Sequence, residues 1–323
     1  MLRHRAAGNG SPGTAKPVRA PRPDIGPPAP RPGPFRPPDR SGGLRSPEQA
    51  ATIGETVYEE YAMRPTTRLR QLVEAPEILV LPGVQDALTA RVAERAGFEA
   101  ITCGGYASTA ALLGEPDSSQ LGLAEMAEHY ARICDTISIP VFADGDTGFG
   151  NVTNVRRTVR AYERAGVAGL FIEDQVFPKR CGHMPGKAVV PAEEMVAKLK
   201  AALDARVDGD LLIMARTDAL AVNGLDDAME RACLYREVGT DMIFVEAPRS
   251  EADMRRICTE IPAPSMANNI EGGMTPLLPA ARLEEIGYAV VAFPVALSYA
   301  VAAMAERLYT ALRACLRRVT AIF

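Results

Sequence analysis

A short loop near the middle of the chain places a cysteine among basic residues. The run Lys179-Arg-Cys-Gly-His183 puts Cys181 within two positions of Lys179, Arg180 and His183. Nearby positive charge favours a thiolate over a thiol, so this spacing predicts a lowered pKa for Cys181. A packed structural cysteine is the alternative, but a loop rich in Lys, Arg, Gly and Pro is not typical of a core. We therefore predict that Cys181 is catalytic, with Lys179 and His183 acting beside it.

Four carboxylates form a second group of residues that could do chemistry. Asp144 and Asp146 flank Gly145 after one apolar run, Glu173 follows a second apolar run, and Asp117 ends the sequence Gly-Glu-Pro-Asp. Like charges that lie close together cannot all remain ionised unless a cation neutralises them. The chain has three histidines, which disfavours zinc, and the acids favour a hard cation: Mg²⁺ or, in its place, Mn²⁺. The alternative is that these acids are helix caps and solvated loop residues.

Apolar segments that alternate with amphipathic helical segments must position these residues. Strands are predicted at 77–81, 100–103, 140–143, 169–172, 211–215, 242–245, 264–267 and 289–293, each followed by a helix, the last from about 296 to 317. Eight such units in about 255 residues predict a (β/α)8 TIM barrel of the α/β class. A doubly wound open sheet is the alternative, but the first strand is not followed by its phosphate-binding glycines.

The active site of such a barrel lies at the carboxyl ends of its strands. Polar residues, glycines and a cysteine occupy these positions in the sequence, although the strands themselves are apolar. A barrel with a purely structural role would not need this regularity. The strand ends therefore predict one shared site, with these candidate residues: Cys103, Gly104, Gly105, Asp144, Glu173, Arg216, Glu246 and Asn268.

The first 62 residues differ from the rest of the chain in composition. Twelve of the 26 prolines lie in the first 50 residues, among many Arg, Gly and Ala. Such a segment cannot bury enough apolar surface to offset its conformational entropy, which predicts disorder. It is a flexible tail, a targeting extension, or translated upstream sequence ahead of a true start at Met63, and we favour the last interpretation. Residues 63–323 then form the catalytic barrel.

Charge and cysteine patterns exclude several other classes of protein. Residues 1–45 carry a net charge of +7 although the whole chain carries −4, so the remainder is acidic, which argues against nucleic-acid binding. No window approaches the roughly 18 uninterrupted apolar residues of a membrane span. The six cysteines are scattered without a close pair, which is typical of reduced thiols in the cytoplasm.

The segment Lys179-Arg-Cys-Gly-His-Met184 resembles the lyase signature of the isocitrate lyase/phosphoenolpyruvate mutase superfamily. Further segments fit that superfamily in the same order: 114–117, 144–150, 172–175, 215–218 and 267–268. The resemblance runs from about Met63 to about Leu312. It is closest to the 2-methylisocitrate lyases, the 2,3-dimethylmalate lyases and carboxyvinyl-carboxyphosphonate phosphorylmutase.

The resemblance implies an Mg²⁺-dependent lyase that releases pyruvate from a 2-methylisocitrate or a 2-alkylmalate, both of them 2-hydroxy acids. Asp144 would be the direct metal ligand, and Asp117, Asp146 and Glu173 would act mainly through water. Cys181 would donate a proton to the departing fragment. A last helix exchanged between subunits of a homotetramer also follows from the resemblance.

The same resemblance implies how the substrate is held. Backbone N–H groups at Cys103, Gly104 and Gly105 would bind the carboxylate of the pyruvate half. Arg216, which is also a catalytic candidate, would bind the other end together with Asn268. Two further residues would complete the substrate site: Gly182 in the loop and Glu246 on the sixth strand.

Three departures from the superfamily pattern bear on the activity. Cys103 stands where methylisocitrate lyases usually carry Ser, which predicts a second thiol in the site. Ile270 stands where they carry Thr, which favours a less polar substrate such as a 2-alkylmalate. The chain also stops before the last segment of these relatives. The alternatives that remain are the phosphorylmutase, which forms a P–C bond, an oxaloacetate decarboxylase, and an inactive truncated homologue.

Overall fold

The structure, a computed structural model, describes residues 63–319, with side chains described to residue 315. The predicted disordered tail, residues 1–62, lies outside the described residues. The limits proposed for that tail and for a barrel domain at 63–323 therefore stay predictions.

All eight predicted strands are present in the described part of the chain, and each is short and largely buried. Buried apolar runs of this kind suit parallel strands that are covered by helices. Their bounds are β1 Leu79–Pro82, β2 Ile101–Cys103, β3 Val141–Asp144, β4 Gly169–Glu173, β5 Leu212–Thr217, β6 Met242–Val245, β7 Met266–Asn268 and β8 Val290–Phe293.

The strands close into one ring. They form two parallel sheets, in the orders β1-β8-β7 and β2-β3-β4-β5-β6. Two isolated parallel bridges join these sheets, Gly83 with Thr102 between β1 and β2, and Ile243 with Ser265 between β6 and β7. At the second junction the N–H of Ile243 donates to the carbonyl of Pro264 at 3.0 Å. The (β/α)8 barrel is thus confirmed, and the doubly wound open sheet is wrong.

Helices surround the ring. The sequence predicts one helix after each strand and one at 66–75 before the first strand, and two of the observed helices were not predicted. Gly105–Leu113 has no polar face and therefore no amphipathic period that would predict it. Ala219–Asn223 is too short to show one. The helices are α1 Pro65–Glu74, α2 Ala87–Arg95, α3 Gly105–Leu113, α4 Leu123–Cys134, α5 Val152–Arg164, α6 Ala192–Ala205, α7 Ala219–Asn223, α8 Leu225–Glu237, α9 Glu251–Glu260, α10 Ala280–Ile286 and α11 Ala296–Val319.

Two apolar layers hold the barrel together and leave one end for polar residues. The inner layer contains Phe142, Phe171, Met214 and Phe244, and Leu69 of α1 belongs to the same cluster. The outer layer lies between the strands and the helices. Because α1 packs onto the inner layer, it closes one end, and the carboxyl ends of the strands remain at the other. No helix among residues 63–319 combines the length and the apolar character needed to cross a membrane.

Candidate active site

Asp144 ends β3 and lies buried among the carboxylates. Its Oδ2 accepts a hydrogen bond from the N–H of Gly105, and its Oδ1 accepts one from the N–H of Asp146, both at 2.8 Å. Asp146 has a φ of +50°, in the left-handed region, which turns the chain sharply after the strand. This turn lets both acids lie at the same end of the barrel, as the sequence predicts.

Two buried tyrosines from α4 and α5 fix the backbone of Asp144. The hydroxyl of Tyr162 donates to the Asp144 carbonyl at 2.9 Å, and the N–H of Asp144 donates to the hydroxyl of Tyr130 at 3.1 Å. The two rings meet edge to face, with centroids 5.0 Å apart. Sequence reasoning missed both residues, because a tyrosine on the apolar face of a helix has the same pattern as any core residue.

Lys179 reaches into the carboxylate group. Its Nζ donates to Asp117 Oδ2 at 2.7 Å and lies 3.9 Å from Asp146 Oδ2, and its side chain is 3% exposed. Burial alone lowers the pKa of Lys179, but the surrounding carboxylates outweigh burial and hold that pKa well above its usual range. The ammonium therefore supplies part of the neutralising charge that we expected from a metal alone. It also faces the acids, and it lowers the pKa of the Cys181 thiol by less than burial raises that pKa.

Glu173 is a buried acid that forms an ion pair without accepting a hydrogen bond. Neither carboxylate oxygen has a hydrogen-bond partner among the described residues, although Oε2 lies 3.2 Å from the Nε of Arg216. Burial raises the pKa of Glu173 well above its usual range. Unpartnered oxygens in a group of carboxylates are the donor type that Mg²⁺ takes, so the residues fit this ion. No three His, Cys, Asp or Glu side chains within residues 63–315 form a metal-binding set by themselves. An ion here would rely on few protein ligands and on water.

Arg216, on β5, lies beside Glu173 at the barrel mouth. The carbon at the centre of its guanidinium lies 5.4 Å from the ring centre of Phe171 and 5.0 Å from that of Phe244. Its Nε donates to Asp218 Oδ2 at 2.9 Å, and its Nη2 lies 3.1 Å from Glu246 Oε2. Aromatic faces and buried carboxylates therefore hold this cation in one orientation.

Glu246 connects Arg216 with two further predicted residues. The Nδ2 of Asn268 donates to its Oε2 at 3.2 Å, and the Nε2 of His183 lies 3.1 Å from its Oε1. That His–Glu contact is at ion-pair distance but lacks the alignment of a hydrogen bond. The other ring nitrogen of His183, Nδ1, accepts from the N–H of Met274 at 2.9 Å, so the ring proton belongs on Nε2, facing the acid. Burial alone raises the pKa of Glu246, but Arg216 and His183 outweigh burial and lower it.

Cys181 is partly buried and lines the same cleft. Burial raises the pKa of Cys181, so the predicted lowered pKa is wrong. The reason is that the basic neighbours have other partners: Lys179 and His183 lie against carboxylates, and Arg180 donates to a backbone carbonyl of the loop. A thiol that stays protonated at neutral pH can donate a proton but is a weak nucleophile.

The thiol of Cys103 is buried below the barrel mouth rather than exposed in the site. Its Sγ lies 3.4 Å from Ser108 Oγ and 3.8 Å from His129 Nε2, within the layer between strands and helices. Burial raises its pKa to about 12. The expected second thiol of the site is therefore wrong, because consecutive strand residues point to opposite faces and this one points outward from the ring.

Two glycines allow the backbone to approach the charged groups closely. A Cβ on Gly105 would lie 2.9 Å from Asp144 Oδ2, and one on Gly182 would overlap the guanidinium of Arg216. The N–H of Gly105 donates to Asp144 in this structure, and its role in holding a substrate stays a prediction. Gly104 lines the cleft, and Gly182 does so from the loop.

Most of the predicted residues line one cleft of about 580 Å³, open solvent at its mouth included, but Cys103, Asp146 and Glu173 do not. Asp117, Asp144 and Lys179 lie on one part of its wall, and Cys181, Arg216 and Asn268 lie on another. The remaining wall is largely apolar, with these side chains: Phe171, Phe244, Met266, Ile270, Ala292 and Val295.

Three polar residues that support the site were not predicted. Ser119 donates to Asp146 and accepts from the N–H of Lys179, both at 3.1 Å. Asp218 pairs with Arg216 and with Lys187. Asp218 stands two residues after Arg216 at a strand end, a pattern that an ordinary ion pair explains equally well. Ser119 and Lys187 lie in loops whose course cannot be predicted from the sequence.

A closed barrel with acids, an arginine and a protonated thiol at one mouth has the architecture of an enzyme. The family model for phosphoenolpyruvate phosphomutase matches residues 69–313, and the chain belongs to this family. The resemblance to the isocitrate lyase/phosphoenolpyruvate mutase superfamily is thus confirmed.

Several named proteins are similar to this chain. It is 47% identical over 251 residues to 2,3-dimethylmalate lyase of Eubacterium barkeri, covering 78% of this chain and 87% of that protein. It is 46% identical over 239 residues to 2-methylisocitrate lyase of Aeropyrum pernix, covering 74% and 77%. The solved structure of phosphonopyruvate hydrolase in complex with oxalate and Mg²⁺ has a TM-score of 0.68 at 30% identity, covering 78% and 88%.

Proposed function

We propose that this protein is an Mg²⁺-dependent carbon–carbon lyase that cleaves a 2-alkylmalate or a 2-methylisocitrate to pyruvate and a second carboxylate. The observation that carries the proposal is the pairing, in one cleft, of buried acids with a protonated thiol beside Arg216. The activities in the names of 2,3-dimethylmalate lyase and 2-methylisocitrate lyase support it.

Asp144 and Glu173 are the residues that would hold Mg²⁺, with Asp117 and Asp146 close by. The unpartnered oxygens of Glu173 and the carboxylate donor set support this assignment, as does the Mg²⁺ in the related hydrolase structure. When bound, the ion supplies Lewis-acid stabilisation to the oxygens of a chelating 2-hydroxy acid. Mn²⁺ takes similar ligands and is the alternative ion.

Cys181 supplies the proton that cleavage requires. When the bond next to the hydroxyl-bearing carbon breaks, that carbon becomes a ketone, its hydroxyl proton passes to solvent, and the departing fragment keeps the electron pair. The thiol protonates this fragment and becomes a thiolate, which regains its proton from water, so protons balance over one turnover. Arg216 and Asn268 hold the carboxylate of the departing fragment, and Arg216 also stabilises the transient thiolate. Glu246 keeps both groups in place.

Pyruvate release is the test of this proposal. Purified enzyme with Mg²⁺ is given 2,3-dimethylmalate, other 3-alkyl-2-methylmalates and 2-methylisocitrate, and pyruvate is followed through NADH oxidation by lactate dehydrogenase. We expect turnover that is lost in Asp144→Asn, with the 3-alkyl-2-methylmalates preferred because Ile270 contributes an apolar wall. Ile270→Thr should shift the ratio of kcat/KM values towards 2-methylisocitrate. Absence of pyruvate from every substrate would overturn the lyase assignment.

We further propose that the protein is a cytoplasmic homotetramer that exchanges α11 between subunits, with no nucleic-acid or membrane partner. Large apolar side chains of α11 are exposed, among them Met304 at 62% and Tyr309 at 67%. An apolar groove lies beside the start of this helix and includes Leu88, Val92 and Phe98. Exposed apolar surface of this extent is typical of an interface between subunits.

A further inference from the structure

The loop that carries Cys181 is closed at its base by paired backbone. The N–H of Val176 donates to the carbonyl of Ala188, and the N–H of Val190 donates to the carbonyl of Asp174, both at 2.9 Å. Residues 179–187, the Cys181 loop, extend from this base over the cleft. A base of this kind fixes where the loop begins and ends, but it does not fix how closely the loop covers the cleft.

Lys187, the last residue of the Cys181 loop, provides contacts that do hold the loop down. Its side chain is 2% exposed, and its Nζ donates to Asp218 Oδ1 at 2.7 Å. The same Nζ donates to the carbonyl of Gly182, next to Cys181. One buried ammonium therefore joins the end of the loop to its middle and to a carboxylate of the barrel.

Asp218 is shared between Lys187 and Arg216. Its Oδ1 accepts from Lys187 and its Oδ2 accepts from the Nε of Arg216 at 2.9 Å. The carboxylate is fully buried, and the N–H of Asp218 donates to Asp174 at 2.9 Å, so its position is fixed from the barrel side. A substitution of Lys187 therefore removes contacts of the loop directly and alters the position of Arg216 through Asp218.

We propose that Lys187 is a positioning residue that holds the Cys181 loop shut over the cleft and, through Asp218, couples closure of the loop to the placement of Arg216. Lys187 does not line the main cleft. It acts through Gly182 and Asp218. The kinetic part of this inference rests on the proposed lyase activity, but the closure of the loop does not.

Alkylation of Cys181 tests the closure directly. Wild type, Lys187→Met, Lys187→Arg and Lys200→Met are treated with iodoacetamide, and the modification rates of the Cys181 and Cys233 peptides are measured by mass spectrometry. A charge-assisted hydrogen bond contributes about tenfold or more to such an equilibrium, so we expect Cys181 to react about tenfold faster in Lys187→Met. Lys187→Arg should restore most of the protection. Lys200, which is exposed, is the matched control and should leave both rates unchanged.

Cys233 separates loop opening from general loosening. It lies on α8 and should react at the wild-type rate in every variant. An unchanged Cys181 rate in folded Lys187→Met, or equal acceleration of both cysteines, would overturn the proposal.

Should Lys187→Met not fold, Lys187→Gln, which keeps a donor for the Gly182 carbonyl, is measured in the same way. If the wild type releases pyruvate, the kcat of Lys187→Met should fall even where the Tm of the variant stays close to the wild-type Tm. A wild-type protein that releases no pyruvate would overturn the lyase proposal, but the labelling result would still test closure of the loop.

Discussion

At the scale of single residues, the chemistry of this site depends on which groups the charged side chains contact. Cys181 has three basic neighbours in sequence, yet its pKa is raised by burial, because those neighbours contact carboxylates and a carbonyl. The residue is consequently suited to give up a proton at the moment of reaction. This distinguishes it from the activated thiolates of cysteine nucleophiles.

Replacing Cys181 with Ser tests the proton-donor role. A hydroxyl is nearly isosteric, so we expect Mg²⁺ binding and Tm to be unchanged, but its pKa is too high for efficient proton donation. The rate of pyruvate release should fall by about 10²–10⁴-fold, the usual weight of a positioned acid.

The pH dependence gives an independent check of the same role. A proton donor must be protonated, and burial raises the pKa of Cys181, so the wild-type rate should hold through neutral pH and decline only at strongly alkaline pH. A decline that begins near neutrality, or full activity in Cys181→Ser, would assign the proton to another group.

At the scale of secondary structure, the helices outside the barrel determine where an acid at its mouth is placed. Asp144 belongs to β3, but the hydroxyls of Tyr130 and Tyr162 bind its backbone from α4 and α5. Helix α3 contributes at its first residue, where the N–H of Gly105 donates to the side chain of Asp144. The position of the acid therefore depends on three helices as well as on the strand.

Removal of the Tyr162 hydroxyl should loosen this arrangement. Tyr162→Phe removes the hydrogen bond of 2.9 Å to the buried carbonyl of Asp144, which keeps the hydroxyl of Tyr130 at 3.3 Å. The expected cost is about 0.5–1.5 kcal/mol in the free energy of unfolding. Urea denaturation measures that cost, and Tyr309→Phe on the exposed face of α11 is the control. The apparent affinity for Mg²⁺ should weaken in Tyr162→Phe alone. Equal behaviour of both variants would show that the hydroxyl does not position the acid.

These elements also show what could be predicted from the sequence. The eight strands follow from apolar runs, and the grouping of Asp144, Glu173, Arg216 and Asn268 follows from their places at strand ends, since a closed barrel brings those ends together. The ion pair of Lys179 with Asp117 was not predictable in this way, because it joins two loops that are 62 positions apart. The direction of the Cys103 side chain depends on the exact register of a three-residue strand.

At the scale of the whole molecule, α11 presents a long surface that the described chain does not cover. Tyr299 meets Tyr106 of the cleft wall, with ring centroids 6.0 Å apart, so the start of α11 lies close to the site. Farther along, Met304, Leu308 and Tyr309 are all more than half exposed. A partner that covers this helix would therefore also hold its first turns beside the cleft.

A charge on α11 should disrupt the proposed assembly. Met304→Glu places a carboxylate where we expect an apolar contact between subunits, so light scattering after size-exclusion chromatography should show a smaller particle than the wild-type tetramer. Glu306→Gln, also on this helix and exposed, should leave the mass unchanged. A monomeric wild-type protein would contradict the tetramer. Equal mass in wild type and Met304→Glu would place the interface elsewhere.

The ammonium of Lys179 affects how the protein matures. Because this group already balances Asp117 and lies near Asp146, the barrel does not have to assemble around bare, mutually repelling acids. We therefore expect folding to finish without the proposed Mg²⁺, so that loading would be a late and reversible event. The amount of this polypeptide in a cell could then stay constant while the concentration of divalent cations sets the fraction that is active.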